Sequence, residues 1–310
     1  MRCRRGRTTV RPRWLILAGL ALLLAPVLYV IAQPIAPAHQ PVASGPVVVR
    51  SAPGSATASP TAAPSSTAST ATAAPSAPGA TSSAAATTAA ITGSTTTATD
   101  PAVAGYIVDG SSFQAVTGTW VVPTITCGAV QRRSVAGWVG IEAASRVTTE
   151  RVGVTSLCQG GHAVETFAWF QAAPAAPVRL PVTVAAGDPI TATVSASGTT
   201  FTFDLVDART GAQARASRSL PAATRDAVAW LVDSRPLGCL GSCSGIALAD
   251  FGRIGFTAAR ATGSGRLGTI GEPLWSRAAV TMTTTSGAPR ARPSSLSGDG
   301  ASFSVDWLAP

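Results

Sequence analysis

The sequence predicts an all-β domain of antiparallel sheets over residues 101–310, preceded by an apolar N-terminal segment and a disordered stalk. Three observations lead there. After residue 101 apolar side chains recur with period two between turn-forming clusters. The same stretch holds six of the seven Trp, all eight Phe and four of the five Cys. Before it, the chain is almost wholly Ala, Ser, Thr, Pro and Gly from residue 51 to 99.

The first element is basic. Arg2, Arg4, Arg5, Arg7, Arg11 and Arg13 fill residues 1–13, and an uncharged apolar run of 19 residues follows at 14–32. That length suits a membrane-spanning helix and exceeds the usual core of a signal peptide. The Arg cluster stays on the cytoplasmic side and sends the rest of the chain outward. Pro26 either kinks the helix or marks the boundary of a cleaved signal. Both alternatives export the protein, to the outer face of the cell membrane or as a secreted chain. Cys3 precedes the apolar run, the wrong side for a lipoprotein cysteine.

Residues 33–100 follow. Between 51 and 99 Ile91 is the lone large apolar side chain, so little surface can be buried to offset the entropy of ordering. This reads as an extended, disordered linker and a candidate for O-glycosylation. His39 has no partners there, and the absence of Asn removes any N-glycosylation acceptor.

Within 101–310, residues 181–184, 190–195 and 201–205 alternate apolar and polar. Ala186-Gly187-Asp188 and Ser197-Gly198-Thr199 punctuate them as turns. Residues 278–285 and 301–307 alternate in the same way, and no stretch carries a sustained helical stripe. Many short strands with regular turns give a sandwich or a barrel.

Charge and motifs exclude several functions. Net charge is +9 with a sequence pI near 10.8, but from residue 101 there are 16 Arg against 13 acidic residues and no Lys. No basic run interleaves with aromatics, so nucleic acid is not an expected partner. No cluster of His, Cys or carboxylates has metal-ligand spacing, and neither a metal nor another cofactor is expected. Gly263-Ser264-Gly265-Arg266-Leu267-Gly268 matches a dinucleotide fingerprint by letters, yet no helical pattern follows; it reads as a surface turn. His162, the domain's single histidine, follows Gly160-Gly161 and reads as a loop residue rather than a catalytic base. Four cysteines in an exported domain are expected to pair. Of three connectivities the preferred one joins Cys239 to Cys243 around Leu240-Gly241-Ser242, leaving Cys127 with Cys158.

A set of segments then stands out in order: Val116-Thr117-Gly118-Thr119-Trp120-Val121-Val122-Pro123, Gly137-Trp138-Val139-Gly140-Ile141-Glu142, Val152-Gly153-Val154, Phe167-Ala168-Trp169-Phe170, Ala229-Trp230-Leu231-Val232-Asp233 and Leu248-Ala249-Asp250-Phe251-Gly252. In this order and spacing the chain resembles the glutamic peptidases, the eqolisins, from about Val103 to Trp307. The resemblance implies a concanavalin-like sandwich of two curved antiparallel sheets, one forming a substrate cleft. It also implies a catalytic pair. A glutamic acid acts as general acid and base on a water, and a glutamine holds that water and steadies the oxyanion.

The resemblance locates both positions here, and both are replaced. The glutamine falls on Arg151, two residues before Gly153, and the glutamate on Ala229, directly before Trp230. Glu150 is a poor substitute because consecutive strand residues face opposite sides. Asp233 shares a face with Ala229 but lies about 13 Å along the strand. Trp138, Glu142, Trp169 and Gln171 are the candidate cleft residues. Three readings follow: an inactive relative with a retained cleft for a polypeptide or other extracellular ligand, an active acid endopeptidase, or a surface module binding peptides or glycans.

Overall fold

The computed structural model describes residues 47–50, 94–128, 132–143, 145, 149–160, 163–234 and 247–310. The segments 1–13 and 14–32, most of 33–100, His162, Cys239 and Cys243 lie outside those residues. Among the described residues no helix is long and apolar enough to cross a membrane.

The described chain is all strand and turn. In order the strands are β1 (Val47–Arg50), β2 (Thr95–Asp100), β3 (Val103–Asp109), β4 (Phe113–Val121), β5 (Arg133–Glu142), β6 (Thr149–Gly160), β7 (Ala163–Ala172), β8 (Val178–Arg179) and β9 (Pro189–Ser197). They continue with β10 (Thr200–Asp207), β11 (Gln213–Ser219), β12 (Ala227–Asp233), β13 (Ala247–Leu248), β14 (Arg253–Gly263), β15 (Arg266–Thr269), β16 (Ser276–Thr283), β17 (Pro289–Pro293) and β18 (Phe303–Trp307).

Pairing follows two runs. One is β2–β16–β3–β12–β5–β6–β7–β8, and the other is β1–β11–β10–β9–β4–β14–β18–β17. All contacts within them are antiparallel except β2 beside β16; β13 also lies parallel to β5. β16 joins the runs, because Met282 at its end pairs with Ala291 of β17. The result is an antiparallel sandwich.

Its core comes from alternate positions on each layer. Val139 and Ile141 of β5, Val152 of β6, Phe170 of β7 and Trp230 of β12 share one apolar cluster with Trp120 of β4, Ile190 of β9, Phe203 of β10 and Phe256 of β14. Phe170 and Phe203 meet at 4.9 Å between ring centroids, and Trp120 and Phe256 at 5.6 Å. The Trp230 indole N–H is satisfied inside this core by the Thr117 carbonyl at 2.7 Å. β14 carries a bulge: its register with β4 shifts between Thr257 and Arg260, where Ala258 has φ 50°. A disulfide joins Cys127, just past β4, to Cys158 on β6.

Several expectations change at this level. Residues 181–184 form no strand; Leu180 and Val184 are buried from irregular backbone, with the Asp188 carboxylate accepting from the Ala185 N–H at 2.7 Å. Residues 301–307 form strand only from Phe303. The Gly263–Gly268 stretch, by contrast, is a turn as expected: it closes the β14–β15 hairpin, with Ser264 and Gly265 at its tip in left-handed conformations of 48° and 76°. The stretch read as stalk contributes two strands, β1 and β2. Both start at a run of three β-branched residues, Val47 to Val49 and Thr95 to Thr97, the residue type a pleated surface favours.

Candidate functional site

β5, β12, β6 and β7 each turn one side chain in two toward the core and the next toward the opposite face of their sheet. On β5 the core side takes Val135, Val139 and Ile141, leaving Ala136, Trp138, Gly140 and Glu142 on the outer face. On β12 that outer face carries Ala227, Ala229, Leu231 and Asp233. On β6 and β7 it carries Arg151, Gly153 and Thr155, then Phe167, Trp169 and Gln171.

Register stacks these residues into rows across four strands. Ala229 lies beside Gly140, Gly140 beside Arg151, and Arg151 beside Gln171. The next row is Leu231, Trp138, Gly153 and Trp169, and the third is Asp233, Ala136, Thr155 and Phe167. Arg151 and Ala229 therefore share a row two strands apart, about 10 Å at the usual strand spacing. Only a glycine stands between them.

The glycines are structural requirements. A Cβ on Gly153 would lie 2.6 Å from the Trp138 Cβ and 2.4 Å from the Gly137 carbonyl. A Cβ on Gly140 would stand 3.0 Å from the Arg151 Cβ. Their absence of side chains lets two indoles and a guanidinium converge in one layer.

Arg151 fills that layer. Its Nε donates to Gln171 Oε1 at 2.9 Å and one terminal nitrogen to Asp233 Oδ2 at 3.1 Å. Its Cζ lies 4.9 Å from the Trp138 ring centroid and 5.3 Å from that of Trp169. The side chain thus runs from the first row, between the indoles of the second, to the carboxylate of the third. Trp169 is pinned by its own N–H to Thr155 Oγ1 at 2.9 Å, and Gln171 Nε2 donates to the Ala175 carbonyl at 3.1 Å. Both indoles are 2% exposed, and the side chains of Arg151 and Asp233 are 18% and 3% exposed. Removing one partner from so sheltered an ion pair strands the other charge, at a typical cost of about 3–5 kcal/mol.

The candidates Trp138, Trp169 and Gln171 all touch Arg151. Glu142 lies two residues beyond Gly140 on the same face, opposite Ala227 and Thr149, and is 4% exposed. Glu150 faces the other way. It is fully buried on the core side, and neither carboxyl oxygen makes a hydrogen bond to a neighbouring residue. Burial pushes its pKa up to about 8, with the nearby Glu142 adding to the rise. Sequence reasoning missed the Arg151–Asp233 pair. Its signal was present: Asp233 shares the face of Ala229, and an Arg side chain spans two rows.

Asp233 also changes the electrostatics expected of Arg151. A lone guanidinium on the sheet would draw an acidic ligand group; here a carboxylate of the same chain already balances it. Among the described residues no group of three or more His, Cys, Asp or Glu side chains is placed to hold a metal ion.

Residues 101–300 match the peptidase A4 family. The fold is similar to that of scytalido-glutamic peptidase, solved with a peptide-based transition state analogue: 20% identity over 67% of this chain and 99% of that one, TM-score 0.57. It is similar also to SCP-B, an eqolisin solved with the tripeptide Ala-Ile-His, at 20% identity over 67% of this chain and 99% of that one, TM-score 0.53. Among curated proteins no match is found.

Proposed function

The chain belongs to the peptidase A4 family, and from that premise we propose that it is an exported, membrane-anchored relative of the glutamic peptidases that does not hydrolyse peptide bonds and keeps its sheet face for a ligand. One observation carries the reading: the row Ala229–Gly140–Arg151–Gln171 holds no carboxyl group. Peptide hydrolysis by this family's chemistry needs a group that takes a proton from water and returns one to the leaving amine. Alanine has none to move. A guanidinium holds its proton too tightly to shuttle one.

The magnitudes agree. Loss of a general acid–base removes a factor of about 10² to 10⁴, and loss of an oxyanion donor about 10² to 10³ more. Arg151 also blocks repair by a nearby carboxylate, because its charge favours the ionised form, a poor proton donor. Anchorage rests on residues 14–32 and the Arg cluster before them. The ligand proposed for the sheet face is a polypeptide or another extracellular molecule.

A second reading, an active acid endopeptidase, draws on Glu142. It is the diagonal neighbour of Ala229 on the same face.

The test is to incubate the purified protein with a denatured polypeptide from pH 2 to 7. No cleavage is expected. The triple variant R151Q/A229E/D233N should gain acid-dependent cleavage; Asp233 is included because Arg151→Gln removes the cation paired with its carboxylate. Cleavage by the unmodified protein that Glu142→Gln abolishes would establish the second reading. For anchorage, the protein should remain with membranes after a high-salt wash; a soluble mature chain starting past residue 32 refutes it.

A further inference from the structure

We propose that the outer edge of β11 is a strand-accepting surface and that Val47–Arg50 of the same chain is its occupant, clasping the linker back onto the domain. The pairing is antiparallel, with Val47 opposite Ala216, Val48 opposite Arg215, Val49 opposite Ala214 and Arg50 opposite Gln213. β11 has β10 on its other side, so without β1 it ends the run with a row of unsatisfied N–H and C=O groups. The family match begins at residue 101, so β1 is an addition to the part of the chain that the family shares.

The sequence fits this role. Between residue 33 and β2, the triplet Val47 to Val49 is the single run of three β-branched residues in a segment otherwise unsuited to a sheet. Pro46 and Pro53 bracket it in the sequence, and neither has a backbone N–H to give to a ladder. On β11 the core-facing side chains are the small Ala214 and Ala216, while Arg215 is held outward by Asp204 of β10. The edge therefore presents an even backbone with no side chain crossing it.

Energetics decide between a clasp in cis and one in trans. Four residue pairs supply a handful of backbone hydrogen bonds, each worth about 1 kcal/mol net. That is marginal for two separate molecules. About 4 kcal/mol corresponds to a dissociation constant of about 1 mM, and within one chain the strand is held at an effective concentration in the same millimolar range, so the docked form is substantially populated without a second molecule. β2, fixed beside β16 at Thr95–Asp100, secures the far end of the same linker. Peptide cleavage by the domain has no bearing on this arrangement.

Hydrogen exchange read by mass spectrometry tests it, comparing the full chain with V47P/V49P and with a chain lacking residues 47–50. The β11 amides that face β1 should exchange about two-fold or more faster in both variants, with β9 and β4 unchanged. A synthetic Gly-Pro-Val-Val-Val-Arg-Ser peptide at millimolar concentration should restore protection in the deleted chain. Equal β11 exchange in all three proteins overturns the proposal. Protection that fades on dilution and follows a dimer in sedimentation also overturns it, by assigning the edge to a second copy.

Discussion

Replacing Glu150 by glutamine separates its burial from its ionisation. In the folded protein the Glu150 carboxyl is driven from 4.5 to about 8, chiefly by burial against the inter-sheet core. A raised acid is protonated in the fold and ionised in the unfolded chain throughout the interval between those values. Stability therefore falls as pH climbs through that window, by about 1.4 kcal/mol per pH unit. The whole interval amounts to about 5 kcal/mol, a third or more of a typical domain's stability. The Glu150→Gln variant would carry no such dependence, and its amide replaces a carboxyl that is equally unpartnered when protonated. The variant should therefore match the parent closely near pH 4 and be more stable at pH 8, the gap opening as the pH rises. Urea unfolding at pH 4, 5, 6, 7 and 8 measures this, and the difference between the two proteins cancels other titrating groups. A constant offset between parallel curves would refute the reasoning, because it would mean Glu150 titrates alike in both states.

Three further predictions concern the supports of the sheet face. Gly153→Ala should destabilise by about 1–3 kcal/mol or more, since the new methyl collides with the Trp138 Cβ and the Gly137 carbonyl; thermal melting reads it, and an unchanged midpoint contradicts the close approach. Replacing Cys127 and Cys158 by Ala should cost about 3–4 kcal/mol, the chain-entropy value for a bridge with sequence separation 31, measured by denaturant unfolding. Asp188 is held below the ordinary carboxylate range by its hydrogen bond from Arg209, so it stabilises the fold above its unfolded pKa and loses that as the pH falls. Asp188→Asn should accordingly lower stability at pH 7 and flatten the loss below pH 4, in urea unfolding at both values.

Legibility in the sequence followed burial. β9 and β10 alternate cleanly because one of their faces is half exposed, so period two shows in the letters. β3, β5 and β12 are covered on both faces and read as continuous apolar runs, which periodicity alone does not assign. Those strands bear the site, and the ordered Trp and Gly motifs located them instead. The row that aligns Arg151 with Ala229 follows from register across β12, β5 and β6. The ion pair from Arg151 to Asp233 was hidden because its partners are 82 residues apart and come together only through three adjacent strands. β1 and β2 were hidden for the opposite reason: short β-branched runs inside a polar, Pro-rich segment gain their order from an edge the sequence does not display.

The outer-face cluster of Trp138, Trp169, Ala229 and Leu231 is separate from the cluster between the layers, which holds Val152, Phe170 and Trp230. Neighbouring letters in one strand thus answer to different physical demands. The inward set holds the two layers together, while the outward set packs with its own face. A change at Arg151, Asp233 or Ala229 therefore leaves the packing beneath in place. By this division of labour, altering the chemistry of the outer face takes a few substitutions rather than a rebuilt protein.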